Sequence, residues 1–320
     1  MEDLTPPEPF FPNQPSLLLE QEQRFRVIAA QLEEEKCLEL YSAVSACAPS
    51  LSTTNFTLEG EIVIAEQQGY GIAFPRPVPM VKMSHIIFGY EQWLKHKYCL
   101  PGFVEVEEND IVIDCGAYVG GFSMSAARIG AEVHAFEPDA RNAACANYNL
   151  ARFPKAKVEI CGLYRTSGQM NLNISSSSVE HSFIQPDDGS IIGSRSVPVI
   201  SLYDYAKKSN ISRFDFAKIE AEGVELEVFE GLADMRPRKL AIDVSPERDG
   251  ESPAVEFRAL LEKLNYEVRQ RGHVMFARCG HPSRLLDTPV WGKSEDSAAG
   301  YFSPPKVIYS LWLQGLQNAP

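Results

Sequence analysis

The stretch Ile111–Gly121 reads IVIDCGAYVGG, and it decides the fold of this chain of 320 residues. Its apolar start, Ile111–Ile113, is typical of a strand that is buried on both faces of a parallel sheet. The glycine-rich turn that follows leads into a predicted short helix over residues 122–129, which Gly130 ends. A buried strand, a glycine turn and a helix in this order predict one β–α unit of an α/β fold, with a ligand-binding turn in its middle.

The same rhythm continues toward the C-terminus. The sequence predicts further strands over residues 133–136, 158–161, 214–219 and 240–244, and further helices over residues 140–152, 224–230 and 253–264. Strands and helices that alternate in this way predict a doubly wound, Rossmann-like sheet with helices on both faces. Two last strands, over residues 266–269 and 274–278, are separated by only four residues, so they must form an antiparallel hairpin.

Composition divides the chain into three parts. Residues 1–100 form an accessory region with a disordered, Pro-rich and acidic start, and with short strands within residues 56–83. Residues 16–47 predict one amphipathic helix, or two with a break near residues 33–35. Residues 101–280 hold the α/β domain, and residues 281–320 form a tail that we expect to pack on it. The apolar stripe of the N-terminal helix must be covered, either by the α/β domain near its binding pocket or by a second subunit in a homodimer.

Composition and charge also exclude several classes of function. The formal net charge is −13 and no basic patch offsets it, so we expect no nucleic-acid partner. No apolar run is long enough to span a membrane, and the N-terminus has no secretory signal. The seven cysteines form no Cys-x-x-Cys pair, which indicates free thiols in a reducing cytoplasm and neither a disulfide framework nor a zinc site. We therefore expect a cytoplasmic protein that acts on a small molecule. A metal pair is a weak alternative, because the sequence shows no second ligand cluster.

The glycine turn and an acidic residue downstream indicate the cofactor. Gly116 and Gly120 let the backbone turn tightly and approach a ligand closely, and the next helix offers free amides to an anionic group. Asp114 follows the first strand, and Glu137 ends the second strand 21 residues after Gly116, where an acid accepts hydrogen bonds from ribose hydroxyls. The spacing Gly-x-x-x-Gly differs from the Gly-x-Gly-x-x-Gly of dinucleotide sites. Together with the terminal hairpin, this favours S-adenosylmethionine (SAM) over a nicotinamide cofactor.

Three segments in this order resemble the FkbM family of SAM-dependent methyltransferases. They are Ile111–Gly121, Ala135–Pro138 (AFEP) and Lys218–Val228 (KIEAEGVELEV), and the stretch Tyr90–Phe103 is similar to the family's lead-in. The resemblance covers residues 88–278. It implies SAM as cofactor and a class I methyltransferase sheet. It also implies O-methylation of a sugar, a polyketide or a similar small hydroxylated product, as in natural-product biosynthesis.

Two positions depart from the family's usual residues: Tyr118 stands where Asn is usual, and Glu220 stands where Asp is usual. A longer side chain at position 220 shifts its contacts by about one methylene, which bears on the acceptor chemistry more than on the cofactor. The predicted cofactor-binding residues lie in the glycine turn, at the end of the second strand and after the third strand: Asp114, Gly116, Ala117, Tyr118, Gly120, Glu137, Pro138, Gly162 and Leu163.

A hydroxyl acceptor needs a proton acceptor close to the methyl carbon. Glu220 and Glu222 follow the predicted fourth strand, at the edge of the sheet where ligands bind, and are the first candidates for this catalytic base. His181 is a further candidate, because it lies in a long polar insert over residues 162–199 that can reach over the cofactor. Glu222 has an alternative role as a cap of the helix that begins near residue 223, and His181 as a solvated side chain in a loop.

Two other functions are alternatives at this point. One is a nicotinamide-dependent reductase on a related sheet, which the glycine spacing and the terminal hairpin disfavour. The other is a catalytically silent SAM-binding module that assembles with a partner through its N-terminal helix. Asp243 and Ser245, at the end of the predicted fifth strand, are expected to line an acceptor pocket if the chain is an enzyme.

Overall fold

The computed structural model of the chain describes residues 32–47, 52–67, 69–175, 181–184, 190–248 and 250–279. The predicted start at residues 1–15, residues 16–31 of the predicted N-terminal helix and the predicted tail over residues 281–320 lie outside these ranges. Among the described residues, no helix is both long and apolar enough to cross a membrane.

The N-terminal part combines helices with a small antiparallel sheet. In chain order its elements are α1 (Glu34–Cys47), β1 (Thr54–Glu59), β2 (Ile62–Gln67), β3 (Tyr70–Pro75), α2 (Met80–Ile87) and α3 (Tyr90–Tyr98). The expectation of strands as far as residue 83 is wrong beyond Pro75. Residues 80–87 form a helix instead, because the buried side chains of Met83, Ile86 and Ile87 recur at helical spacing after Pro79.

The α/β part contains every strand and helix predicted for it, with ends that differ by one or two residues. In chain order its elements are β4 (Ile111–Cys115), α4 (Gly121–Arg128), β5 (Glu132–Phe136), α5 (Ala140–Leu150), β6 (Ala156–Glu159), β7 (Gly162–Leu163), β8 (Gly168–Ser175), β9 (Ile191–Ile200), α6 (Leu202–Ser209), β10 (Phe216–Ile219), α7 (Glu225–Glu230), β11 (Lys239–Asp243), α8 (Ala254–Lys263), β12 (Tyr266–Arg271) and β13 (Val274–Cys279). The third predicted strand, β6, begins earlier than expected because it is an edge strand with half-exposed side chains, which leave no clear apolar pattern.

Seven strands form the central sheet in the order β12-β13-β11-β10-β4-β5-β6. The strands from β11 to β6 are parallel neighbours, and β13 is antiparallel to both β11 and β12. This is the predicted doubly wound sheet with its antiparallel hairpin. The strand order reverses between β4 and β10, and sheets of this kind bind ligands in the crevice at the carboxyl ends of the strands at such a point.

A buried asparagine joins the N-terminal sheet to the glycine turn. The side-chain amide of Asn149 donates to the carbonyl oxygens of Ala73 at 3.0 Å and Val119 at 2.8 Å, and its oxygen accepts from the Ala73 N–H at 2.7 Å. Nearby, the guanidinium of Arg128 binds the buried carboxylate of Glu91 at 2.6 Å. Buried polar groups must be bonded to be tolerated, so these contacts fix the two parts against each other. One hydrophobic core runs through both parts.

The predicted polar insert over residues 162–199 is largely strand in its described portions. It forms a second small sheet in the order β7-β9-β8, in which β8 and β9 are antiparallel. The backbones of Asn173 and Ser182 pair, with N···O distances of 2.8 and 3.2 Å. This pairing holds the described segment His181–Ile184 beside β8, next to the carboxyl edge of the central sheet.

Candidate active site

A cavity of about 440 Å³ opens at the carboxyl ends of β4, β5, β10 and β11. The N-terminal part lines it from α2 and α3 with Lys82, His85, Trp93 and Lys97. The α/β part lines it with Cys115, Gly116, Tyr118, Phe136, Glu137, Pro138, Asn142, Gly162, Leu163, Leu172, His181, Phe183, Glu220, Ala221, Glu222, Asp243, Ser245 and Glu247. Most predicted site residues therefore meet at one cavity. Asp114, Ala117 and Gly120 lie in or beside the glycine turn without lining the cavity wall.

The two glycines of the turn are required by the protein itself. Gly116 has a φ of +71°, and a Cβ at this position would overlap the backbone carbonyl oxygen of Glu220 at the end of β10. Gly120 has a φ of +78° and precedes α4, and a Cβ there would lie 3.3 Å from Leu150 Cδ1. We expected these glycines to leave room for a ligand. The structure gives them a further reason, because the turn must pass close to β10 and adopt left-handed backbone.

Tyr118 connects the glycine turn to the acid at the end of β5. Its backbone has a φ of +52°, a conformation that costs free energy for a residue with a side chain. Its N–H donates to Glu137 Oε2 at 2.9 Å, and its ring lies 5.7 Å from the Lys82 ammonium. The strain is therefore held in place by a hydrogen bond to a predicted cofactor residue, as is typical of backbone strain at binding sites.

Glu137 is a buried carboxylate on the cavity wall. Its Oε2 accepts from Tyr118 N–H and its Oε1 accepts from Asp139 N–H, each at 2.9 Å. Burial raises the pKa of Glu137 to about 7, although the two backbone hydrogen bonds oppose the rise. Each carboxylate oxygen has more than one lone pair, so Glu137 retains acceptor capacity toward a ligand hydroxyl in the cavity.

One part of the cavity lining is apolar. Its side chains are those of Phe136, Pro138, Leu163, Leu172 and Phe183. Phe183 packs over Gly162, where a Cβ would lie only 2.5 Å from the end of the phenylalanine ring. The absence of a side chain at that glycine thus lets an aromatic ring from the insert reach the cavity, a contact that the sequence did not predict.

Side chains of alternating charge form another part of the site. The Lys97 ammonium lies 3.0 Å from Asp243 Oδ2 and 2.7 Å from Glu220 Oε1. The Lys218 ammonium lies 3.1 Å from Glu220 Oε2 and 3.1 Å from Asp114 Oδ1. Lys218 also donates to the carbonyl oxygens of Cys115 and Gly116, at 2.9 and 2.7 Å. This series of ion pairs extends from the end of β11 through β10 to β4. The hydrogen bonds from Lys218 also support the backbone of the glycine turn.

These ion pairs set the charge state of the wall. Burial raises the pKa of Glu220, but the ammonium groups of Lys97, Lys218 and Lys82 outweigh it and hold that pKa well below its usual value. Burial lowers the pKa of Lys97, but the carboxylates of Asp243 and Glu220 outweigh it and raise that pKa. Glu220 is therefore an ionised but weakly basic carboxylate at neutral pH.

Glu222 lines the cavity. Its backbone has a φ of +50°, and its carbonyl accepts from Ser182 Oγ at 2.8 Å. Glu225, the first residue of α7, accepts with Oε1 from the N–H groups of Ala221 at 2.8 Å and Gly223 at 3.2 Å, both ahead of the helix. Glu225 thus orders the turn that carries Glu222, and the role of Glu222 as a base or as a helix cap stays a prediction.

His181 lines the cavity, but both of its ring nitrogens are directed into the protein. Nδ1 accepts from Ser175 N–H at 3.1 Å, and Nε2 lies 4.0 Å from Asp139 Oδ2. Burial lowers the pKa of His181, although Asp139 opposes the change. The neutral ring therefore carries its proton on Nε2 and has its one lone pair engaged at Nδ1, an arrangement that does not favour a role as base.

Two important lysines were not among the predicted site residues. Lys218 carried a recognisable signal, because a lysine in the middle of the buried strand Phe216–Ile219 needs a partner. Lys97 carried none, since 123 residues separate it from Glu220. No local pattern in a helix predicts which distant strand end its side chain reaches.

Comparison with known protein families gives one match. Residues 114–268 match the methyltransferase FkbM domain. This confirms the resemblance drawn from the sequence, and the match runs from the end of β4 to the start of β12. No curated protein matches the chain.

Several solved structures are similar to the chain at low sequence identity. A precorrin-6y C5,15-methyltransferase from Geobacter metallireducens has 11% identity, covers 65% of this chain and 94% of its own, and gives a TM-score of 0.37. A tRNA (uracil-54, C5)-methyltransferase from Pyrococcus abyssi, in complex with S-adenosyl-L-homocysteine, has 13% identity, coverage of 69% and 44%, and a TM-score of 0.38. A fibrillarin pre-rRNA processing protein from Methanococcus jannaschii has 11% identity, coverage of 71% and 97%, and a TM-score of 0.36. At such TM-scores no conclusion about this chain rests on them.

Proposed function

We propose that this chain, a SAM-dependent methyltransferase by its FkbM domain, O-methylates a small hydroxylated molecule. One observation supports the proposal above others: a single cavity is lined by chemically different sets of side chains. We call the part lined by Glu137 and apolar side chains the first end, and the part lined by Lys97, Glu220 and Asp243 the second end. Lys97 and three further lining residues lie outside the matched FkbM domain.

The residues at the first end fit SAM. Glu137 offers carboxylate lone pairs to ribose hydroxyls, and the apolar wall of Leu163, Leu172 and Phe183 suits the flat face of an adenine. The glycine turn borders the cavity at Gly116 and Tyr118, and we expect the methionyl part of SAM to lie beside it. When bound, SAM supplies a methyl group that an acceptor oxygen takes with a lone pair, while the electron pair of the methyl–sulfur bond stays on sulfur.

The chain's own residues position the acceptor and exclude water. His85 and Trp93 both line the cavity, and their rings stack with centroids 3.8 Å apart. Positioning and exclusion of water account for most of the catalysis that such a displacement needs. Asp243 and Ser245 line the cavity as expected, and Asp243 Oδ1 accepts from both the N–H and the Oγ of Ser245.

We propose Glu220 or Glu222 as the catalytic base. His181 ranks below them, because the lone pair on its Nδ1 already accepts a hydrogen bond. A carboxylate as weakly basic as Glu220 suffices if the proton leaves while the new carbon–oxygen bond forms, because the oxygen becomes strongly acidic as it gains the methyl group. Glu222 is the second candidate, since its side chain lines the cavity. We rank Glu220 first because two lysines fix its position.

The described part of α1 bears on the proposed homodimer. Its buried side chains, Cys37, Leu38, Tyr41 and Val44, belong to the core shared with the N-terminal sheet. The apolar stripe of this helix is therefore covered within the chain, which favours packing over dimerisation for residues 34–47. A cytoplasmic location and a role in natural-product biosynthesis remain part of the proposal.

The test uses methyl-labelled SAM and a panel of small acceptors in matched pairs, each pair differing only in a hydroxyl or an amine at one position. We expect label on hydroxyl members, and loss of transfer in Glu137→Ala together with loss of SAM binding. Transfer only to amines would overturn the O-methylation proposal. SAM binding without transfer to any member would support the silent assembly module instead.

A further inference from the structure

Lys97 lies outside the matched methyltransferase domain, yet its side chain lines the cavity and pairs with two carboxylates of the α/β part. The residue belongs to α3 and precedes the start of the match at residue 114. It binds Glu220 at 2.7 Å and Asp243 at 3.0 Å. The family assignment therefore gives it no role, and the structure places it between the two strand ends where the acceptor is expected.

The two carboxylates converge because their strands are neighbours. β10 and β11 are parallel, with Ile219 opposite Ile242, so Glu220 and Asp243 both follow this paired position. Asp243 is only 3% exposed, and two carboxylates so close together repel each other unless a cation lies between them. Convergent carboxylate oxygens are the donor set that divalent cations such as Mg²⁺ take in proteins. Here the chain's own ammonium group lies at that position.

An ammonium group has three N–H donors. In the described part of the chain, Lys97 has two carboxylate partners, and it also lies near the rings of Tyr98 and Trp93, at 4.9 and 6.0 Å from their centroids. The side chain is 27% exposed and lines the cavity, so the third N–H can donate to a ligand there.

We infer that Lys97 is a built-in cation of the active site, which binds the reacting oxygen of the methyl acceptor between Glu220 and Asp243. The inference rests on the proposed function and deepens it, because it selects oxygen over nitrogen. A hydroxyl oxygen has two lone pairs, so it can accept from Lys97 with one and attack the methyl carbon with the other. A neutral amine has a single lone pair and loses its nucleophilicity if that pair accepts from Lys97, and a protonated amine is repelled by the ammonium charge.

The same arrangement gives the hydroxyl proton a destination. While the oxygen accepts from Lys97, its own hydrogen can be donated to Glu220 or Asp243, and the proton passes to that carboxylate as the methyl group arrives. Lys97 thus acts on orientation, because it engages one lone pair of the oxygen and leaves the other for the methyl carbon.

A pair of substitutions tests the inference on the full chain. Lys97→Ala removes the cation and opens space between the carboxylates, whereas Lys97→Met removes the charge but fills the space with a similar stem. Lys95→Ala is the matched control, since Lys95 is exposed on the same helix two residues away. Mn²⁺ binding is measured by calorimetry or electron paramagnetic resonance in protein saturated with S-adenosyl-L-homocysteine (SAH). Thermal unfolding and SAH affinity check that each variant is folded.

Lys97→Ala should bind Mn²⁺ about tenfold or more tightly than the wild type, while Lys97→Met and Lys95→Ala should show no gain. With an acceptor from the panel, both Lys97 variants should lose about 10²–10³-fold in turnover at unchanged SAH affinity, and Mn²⁺ should restore part of it only in Lys97→Ala. No gain of Mn²⁺ affinity in Lys97→Ala, or turnover in Lys97→Met equal to that of Lys95→Ala, overturns the inference. Failure of the proposed function is a different result, namely a wild type that transfers label to no hydroxyl.

Discussion

The buried acid Glu137 should make cofactor binding depend on pH. Its pKa is raised to about 7 by burial, so at pH 6 most of the free protein carries this group protonated and at pH 8 most of it is ionised. Ribose hydroxyls donate more strongly to a carboxylate than to a neutral acid. A ligand that brings ribose to Glu137 must therefore displace a proton at pH 6 and none at pH 8.

The magnitude follows from the same pKa. When binding requires the ionised form, affinity changes by about tenfold per pH unit below the pKa, so SAH should bind about tenfold more weakly at pH 6 than at pH 8. The effect on folding has the opposite sign. A rise from the usual 4.5 to about 7 means that the folded state holds the proton longer than the unfolded state. This group should therefore lower the stability of the free protein by about 3 kcal/mol as the pH rises through that window.

The assay is titration calorimetry with SAH at pH 6, 7 and 8, in two buffers with different heats of ionisation, which counts the protons released. Glu137→Gln is the matched variant, because it keeps the shape of the side chain and cannot titrate. We expect about one proton released per SAH at pH 6 in the wild type, with a flat profile and weaker binding in Glu137→Gln. Equal SAH affinity at pH 6 and pH 8 in the wild type would refute the assignment of Glu137 as the ribose acceptor.

Three further predictions follow from the glycine contacts and the histidine geometry. Gly116→Ala should lower the free energy of unfolding by more than about 3 kcal/mol, because the added Cβ overlaps the carbonyl oxygen of Glu220. Gly120→Ala should lower it by about 1–2 kcal/mol, because alanine disfavours left-handed backbone. Urea titration measures both values, and equal losses would contradict the overlap at Gly116. Gly162→Ala should displace the aromatic ring above it and weaken SAH binding by about three- to tenfold in calorimetry, while Gly168→Ala, which has open space, should bind like the wild type. His181→Ala should leave the pH profile of turnover unchanged, because the lone pair on Nδ1 is engaged by Ser175 N–H. Burial lowers the pKa of His181, so loss of an inflection on the acid side of the ordinary histidine value would restore this residue as the base.

The central sheet was predictable because its signals are local. Buried parallel strands are short apolar runs, and the four residues between the last two strands leave room only for a hairpin. The position of Glu137 beside the glycine turn was predictable for the same reason. Both lie at the ends of adjacent strands, and the sequence indicates where these strands end. Residues 80–87 were misassigned because a short apolar segment fits a strand or a helix equally well until its buried face is known.

The second end of the cavity was less predictable because its contacts are long-range. Lys97 and Glu220 are 123 residues apart, and their ion pair depends on how α3 lies across the sheet. The orientation of α3 is set in turn by Tyr90, whose ring packs where Gly121 has no side chain, and by Glu91, which binds Arg128. Each of these contacts involves a residue type that is common on helix surfaces, so the sequence alone does not predict any of them.

The position of Lys97 also changes how the chain should be divided. Domain boundaries fall where few contacts cross, but a boundary near residue 100 or 114 cuts Lys97 from Asp243 and Glu220. Asp243 would then be a buried carboxylate without its cation, and loss of one partner of a buried pair costs about 3–5 kcal/mol. The N-terminal part therefore lines the same cavity as the FkbM domain, and under the proposed function we expect the catalytic unit to extend at least from α2 to β13. We likewise expect the choice of acceptor atom to depend on Lys97, in a helix that lies outside the matched domain.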